Sequence, residues 1–357
     1  MKIKASSVTL TLVFGLYFIS VPVLASGFPL SISDNSIQKG LDYLESIQQP
    51  EGSVGTYSDT GWVVMALAAA GKNPASWGNG KIMDYLKSDV GQLNESYNLP
   101  ADLARDILAI IAAGQDPRNF GTGNAVVPSG DYVSALVDTF DGNQFGITDS
   151  LNEDCWAVIA LTSAGYSADD SLIQTTLSYI KANQGEDQGW SWATPMNDYY
   201  FASDADNTAA AILALANAGE DVDSQYMTSA LEYLRGVQMQ SGGFSAYGVE
   251  NTGSTAWSLA CLNAVGEDIS NWAKSGGGPS DFLISMQSSD GSFAFAIPLP
   301  EGYMPMSEKM TADCIIALTG NTYPVRLPVQ TSVWIWVAVA AGIGLLAGIV
   351  IIRFVRR

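Results

Sequence analysis

The sequence predicts an all-α fold, a two-layer ring of six helical hairpins, from three observations. Alanine-rich stretches stop at a glycine six times, at Gly71, Gly114, Gly165, Gly219, Gly266 and Gly320, spaced 43, 51, 54, 47 and 54 residues apart. A near-constant period of this size marks a repeat architecture, and each glycine stands where a left-handed residue closes a helix. Two helical patterns alternate, one amphipathic and one apolar nearly all round. A loop of glutamine, glycine and an aromatic residue joins them.

In chain order, each unit opens with the amphipathic helix. Tyr43-Leu44…Gln48, Tyr179-Ile180…Gln184, Tyr233-Leu234…Gln238 and Phe282-Leu283…Gln287 are the clear copies. Tyr85-Leu86…Gln92 and Leu136…Gln144 are weaker ones. Apolar residues recur at three and four positions, so each has one buried face. The loops follow: Gly189-Trp190, Gly242-Gly243-Phe244, and Gly291-Ser292-Phe293. The second helix starts on polar residues, as in Ser58-Asp59-Thr60, Asn152-Glu153-Asp154, Asp206-Asn207-Thr208 and Ser254-Thr255. Such side chains accept from the free amides of a first helical turn. Its body, for example Val63 to Ala70 or Ala209 to Ala218, has no polar face and is expected to be buried on most sides. Six apolar helices therefore form an inner ring and six amphipathic ones an outer ring. Alanine lets the inner axes converge, and six units close with a central cavity.

The ends differ from this body. Residues 1–25 carry Lys2 and Lys4, an apolar run and Val23-Leu24-Ala25, the pattern of a signal peptide. The ring is expected over 34–320 and a linker with Pro324 and Pro328 over 321–332. Residues 333–352 are uncharged, begin near Trp334 and Trp336, and are long enough to cross a bilayer as a transmembrane helix. Arg353, Arg356 and Arg357 in the tail 353–357 place that end in the cytoplasm. The expectation is a single-pass membrane protein with its bulk outside the cell. The sequon Asn94-Glu95-Ser96 agrees with that side.

Between the two ends, 11 basic residues face 36 acidic ones, a net charge of −25. That argues against nucleic acid as a partner, which needs cationic neutralisation. Histidine is absent, which excludes His-based triads, bases and zinc ligands. Cys155, Cys261 and Cys314 fall in apolar helical stretches, where cysteine is commonly a small buried hydrophobe. Pairing of Cys261 with Cys314 is left open.

The Gln…Gly-aromatic loop, followed by a helix opening as Asp206-Asn207-Thr208-Ala209 does, resembles the repeat of the terpenoid-cyclase and prenyltransferase superfamily. The likeness covers about residues 34–320 and implies an α6/α6 toroid. Prenyltransferases hold zinc through a histidine that this chain lacks. The thioester motif of the complement-like members is missing too, since Leu262 and Asn263 follow Cys261. Asp204-Ala205-Asp206-Asn207-Thr208-Ala209 is similar to the motif by which squalene cyclases protonate an alkene, and the resemblance makes Asp206 the proton donor. Asn207 departs from that motif. Capping of the fourth inner helix by Asp204, Asp206 and Asn207 is the simpler reading. Resemblance to single-toroid cobalamin carriers makes a cobalamin-type ligand one option, without the β domain those proteins add; the cofactor stays unknown.

Aromatic residues mark a ligand site at the rim where the inner helices begin. Trp62, Trp156 and Trp257 are equivalent in units one, three and five, and a long fourth-unit loop adds Trp192, Tyr199, Tyr200 and Phe201. Asp204 and Tyr303 complete the candidate ligand-binding set, whereas Trp190, Phe244 and Phe293 read as staples between layers. The main expectation is a membrane-anchored surface module binding a small molecule, glycan or protein. The alternative is an enzyme, either terpene-cyclase-like through Asp206 or glycan-processing through two rim carboxylates among Asp59, Asp102, Asp154 and Asp206.

Overall fold

The computed structural model describes residues 27–88, 93, 96, 98–121, 126–194 and 202–327. The inner helices are α2 (Tyr57–Ala69), α4 (Leu99–Ala112), α6 (Asn152–Ser163), α8 (Ala205–Asn217), α10 (Thr252–Ala264) and α12 (Ser307–Leu318). The outer helices are α1 (Asn35–Ser46), α3 (Ile82–Ser88), α5 (Tyr132–Val137), α7 (Ser171–Ala182), α9 (Gln225–Val237) and α11 (Pro279–Ser285). Each inner helix packs on the next, and α12 packs on both α2 and α1. The ring closes. One feature lies outside the all-α expectation, a hairpin in the fifth unit that pairs β1 (Phe244–Ala246) antiparallel with β2 (Val249–Asn251).

The glycine stops behave as the sequence predicts. All six have positive φ, from 67° at Gly71 to 99° at Gly165. The residue after each donates back to the helix, as in Lys72 N to Leu67 O at 2.8 Å and Asn321 N to Ile316 O at 3.1 Å. These are Schellman closures, which satisfy the carbonyls left free at a helix end. All six lie on one face of the ring, opposite the mouth where the inner helices begin.

Hydrogen bonds explain the loop motif. Five inner helices offer a side-chain oxygen to the loop before them. Thr60, Thr208, Thr255 and Thr311 Oγ1 accept from Val54, Trp190, Phe244 and Phe293 N at 2.9–3.0 Å. In the third unit Asp154 Oδ1 accepts from Phe145 N at 2.8 Å. A buried amide that lost this acceptor would cost about 1–3 kcal/mol. The glutamines bind both their own loop and the next outer segment. Gln184 Nε2 reaches Gln188 O and Tyr226 O, and Gln238 Nε2 reaches Gly242 O and Trp272 O. Gln287 Nε2 reaches Gly291 O at 3.1 Å and Ser36 O at 2.8 Å, joining the last unit to the first. Trp190, Phe244 and Phe293 are wholly buried staples.

One detail departs from the sequence reading and one open point is resolved. Residues 321–327, expected as linker, are packed: Tyr323 and Val325 are buried, and Asn217 Nδ2 donates to Tyr323 O at 3.0 Å. The three cysteines are buried and unpaired, so Cys261 and Cys314 form no bridge. Among the described residues no helix is long and apolar enough to cross a membrane. The expected signal peptide, the 333–352 span and the Asn94 sequon lie outside the described residues.

Candidate functional site on the ring axis

Position along the inner helices decides which side chains meet. Two residues after the loop-binding oxygen stand Trp62, Trp156 and Trp257, in α2, α6 and α10. These helices are not neighbours in the ring, so contact between them must cross the centre. The indole rings do meet, with centroids 5.4 Å apart for Trp62–Trp156, 5.0 Å for Trp156–Trp257 and 6.0 Å for Trp62–Trp257. Trp62 and Trp156 are 7% and 4% exposed. The expectation of a rim site is therefore corrected: the three indoles lie inside the ring and fill the axis one turn below the mouth. Six alanine-rich helices leave a hole that apolar rings fill better than water does.

Tyr323 closes this cluster from the opposite face. Its ring stands edge-on to Trp62 and Trp156 at 5.7 and 5.3 Å, and its hydroxyl lies 3.4 Å from Asp313 Oδ1. Asp313 of α12 is the sixth unit's counterpart of the tryptophans. One turn earlier, Lys309 bonds Asp313 Oδ2 at 2.5 Å. Its ammonium also sits 4.7 and 4.8 Å from the ring centroids of Trp62 and Trp257. Burial raises the proton affinity of Asp313, and the Lys309 charge opposes it.

Asp204 and Asp206 turn out to have different roles. Asp204 is the cap of α8: its Oδ1 accepts from Asn207 N at 2.8 Å, and Asn207 Nδ2 and Tyr247 Oη also donate to it. Asp206 caps nothing. Its Oδ1 is shielded from solvent and accepts no hydrogen bond from any described residue. Burial first, then the neighbouring Asp204 charge, raises its pKa to about 7; the Ser254 hydroxyl and the Lys309 charge act the other way. A carboxyl so placed holds its proton well above the usual aspartate range, with one oxygen, Oδ1, that no donor among the described residues occupies.

The other rim carboxylates are engaged in structure. Asp59 forms a capping box with Thr56. Asp102 pairs with Arg105, which also holds Asp106 at 3.0 Å. Asp154 binds the loop amide through Oδ1, while its Oδ2 is shielded and accepts no hydrogen bond from any described residue, and burial raises its pKa to about 8. Trp192 and Tyr303 are exposed, Tyr303 stacked on Phe295 at 5.4 Å. With Tyr247, Ile297 and Met304 they leave apolar surface around the mouth. Tyr199, Tyr200 and Phe201 lie outside the described residues. The sequence reading missed Lys309, Asp313, Tyr323 and Ser254. The repeat register could have found two of them: counting two residues either side of the loop-binding threonine gives Asp206 and Lys309 before, Trp62, Trp257 and Asp313 after.

Solved structures share this architecture. The type II terpene cyclase MstE from Scytonema, in its apo form, superposes with a TM-score of 0.55 at 14% identity, over 81% of this chain and 98% of that one. A glycosidase variant in complex with glucose gives 0.56 at 10% identity, over 80% and 96%. A protein from Actinoplanes gives 0.53 at 14%, over 80% and 98%. The chain has the α–α toroid fold of the terpenoid cyclases. No protein-family model and no curated protein matches its sequence. One toroid carries more than one chemistry among these neighbours, so the function has to be argued from the axis residues.

Proposed function

We propose that this toroid is an enzyme of the terpene-cyclase kind, using Asp206 as a Brønsted acid on an alkene-bearing, hydrocarbon-rich substrate. The carrying observation is the unpartnered, shielded Oδ1 of Asp206 at the mouth of an axis floored by three indoles. Proton transfer to an alkene carbon uses the alkene π pair to form the new C–H bond and leaves a carbocation. Asp206 is left as a carboxylate, which Ser254 and Lys309 favour, while indole faces favour the positive charge. Loss of a proton from the product cation restores the acid. Glycan cleavage through paired rim carboxylates has less support, because Asp59 and Asp102 are held by structural partners and Asp154 is committed through Oδ1 to the loop amide.

A second reading, a binding module without turnover, is favoured by one observation. The cation position over Trp62 and Trp257 is already filled by Lys309. The ligand in that case is a glycan, a protein or a cobalamin-type molecule. The test is to incubate the full-length protein in detergent with linear polyprenols and squalene. Cyclised isomers are expected, and Asp206→Asn is expected to slow their formation about 10²–10⁴-fold. No product with any isoprenoid, together with ligand-dependent thermal stabilisation, would give the second reading instead.

The location outside the cell, with 1–25 as signal peptide and 333–352 as anchor, belongs to the same proposal. The chain leaves the ring on the face where the inner helices end, as Arg326 Nη2 bonds Ser163 O at 3.1 Å and Asn321 Nδ2 bonds Ala69 O at 3.3 Å. An anchor beginning six residues after Leu327 turns that face to the bilayer. The mouth then opens outward, farther away by the length of an inner helix, about 20 Å. Substrate would reach it from the external side.

A further inference from the structure

The axis contains a charge that an acid-catalysing toroid does not require. Lys309 stands on an inner helix with its side chain 17% exposed, and its ammonium is enclosed by two indole faces and the fully buried Asp313. Desolvating an ammonium is costly unless compensated. Here the compensation comes from one carboxylate and two aromatic quadrupoles. A second carboxyl oxygen, Asp206 Oδ1, lies in the same charge cluster without a hydrogen-bond donor. The surroundings therefore suit a compact cation, and the only covalent feature tying this one to the protein is a flexible four-carbon stem. Such a stem can swing its charge toward the mouth.

We propose that Trp62, Trp257 and Asp313 form a cation-accepting subsite that Lys309 fills in the resting protein, and that a ligand bearing a compact organic ammonium binds by displacing it. The net charge of −25 over residues 26–332 draws cations toward the protein, and Asp206 offers the incoming group a second carboxyl oxygen, its Oδ1. The subsite stands whether or not the toroid turns over an alkene. If it does, the same two indole faces become available to a developing carbocation only after Lys309 has moved, so Lys309 would then be a positioning residue.

The test uses the full-length protein in a non-ionic detergent with tetramethylammonium as probe and neopentyl alcohol as its neutral counterpart. Lys309→Ala empties the subsite, and tetramethylammonium is expected to raise the Tm of this variant by about 2–4 °C at saturation. Neopentyl alcohol should leave it unchanged, and the double variant Lys309→Ala/Trp257→Ala should lose the response. Lys309→Met, which keeps the bulk of the stem, provides a filled reference: it leaves the buried Asp313 without its cation and should be less stable than the native chain, yet respond to neither probe. A Lys309→Ala protein that ignores the cation, that responds equally to the alcohol, or that keeps its response without Trp257 overturns the proposal. Because the readout is binding, it is decided independently of any result with isoprenoids.

Discussion

Replacing Asp206 with Asn should make the protein more stable above neutral pH and leave it unchanged in acid. In the unfolded chain an aspartate titrates near 4; in the folded toroid burial and the Asp204 charge move Asp206 to about 7. Below pH 4 both states hold the proton, and the group contributes nothing to the balance. Between pH 4 and 7 the folded state holds a proton that the unfolded state has released, so native stability falls as pH rises. Above pH 7 both are ionised and the full penalty applies. At about 1.4 kcal/mol per unit, three units set an upper bound of about 4 kcal/mol. Part of this is repulsion from Asp204, which remains to relax once Asp206 is neutral. Thermal melts of native and Asp206→Asn protein at pH 4, 6 and 8 read the effect as a Tm difference growing from near zero to on the order of 5 °C. Asp204→Ala is the contrast: it removes the cap of α8 and should destabilise by about 1–2 kcal/mol at pH 4, where Asp206 is neutral and no repulsion is relieved. A less stable Asp206→Asn at pH 8, or an advantage independent of pH, would refute the assignment of a strained, unpartnered carboxyl.

Gln287→Ala removes the bond from the sixth unit to Ser36 of the first as well as its own loop bond. It should lower stability by about 1–3 kcal/mol and expose α1 to proteolysis first, whereas Gln49→Ala, an exposed residue bonded within its own turn, should change the urea midpoint little. Orientation is read by cysteine labelling on intact cells expressing the chain. Met304→Cys at the mouth, on a background without the three native cysteines, should react with an impermeant maleimide, and Lys72→Cys near the opposite face should react far more slowly; equal labelling, or none at 304, counts against an outward mouth.

The ring was legible because its determinants are local and repeated. A left-handed closure needs glycine, so Gly71 and its five counterparts could be counted without knowing what they pack against. Apolar periodicity separates α2 or α8 from α1 or α9 for the same reason: burial on all sides and burial on one side leave different patterns in the chain. The short helices α3 and α5 correspond to the two weak copies. The hairpin β1–β2 was not seen, because three residues per strand carry no resolvable alternation.

The site was legible only in part. The Asp204–Asp206 motif marks the right turn of the right helix, yet its residue types allow both a cap and an acid. Which carboxylate caps is settled by the hydrogen bonds that Asn207, and Tyr247 from the next unit, give to Asp204. The tryptophans were recognisable as equivalent residues, but equivalence in a repeat does not say whether side chains point to the rim or to the axis. Tyr323 lay in what composition marked as linker.

By itself, then, the sequence determined the number of hairpins, their order, which helices line the inside and how each ends. Closure of the ring alone decided that Trp62, Trp156 and Trp257 touch, that Lys309 and Asp313 join them, and that Asp206 Oδ1 meets no hydrogen-bond donor among the described residues. The physical reason is that these contacts link helices far apart in the chain across a common centre, and such distances exist only once the last unit has met the first.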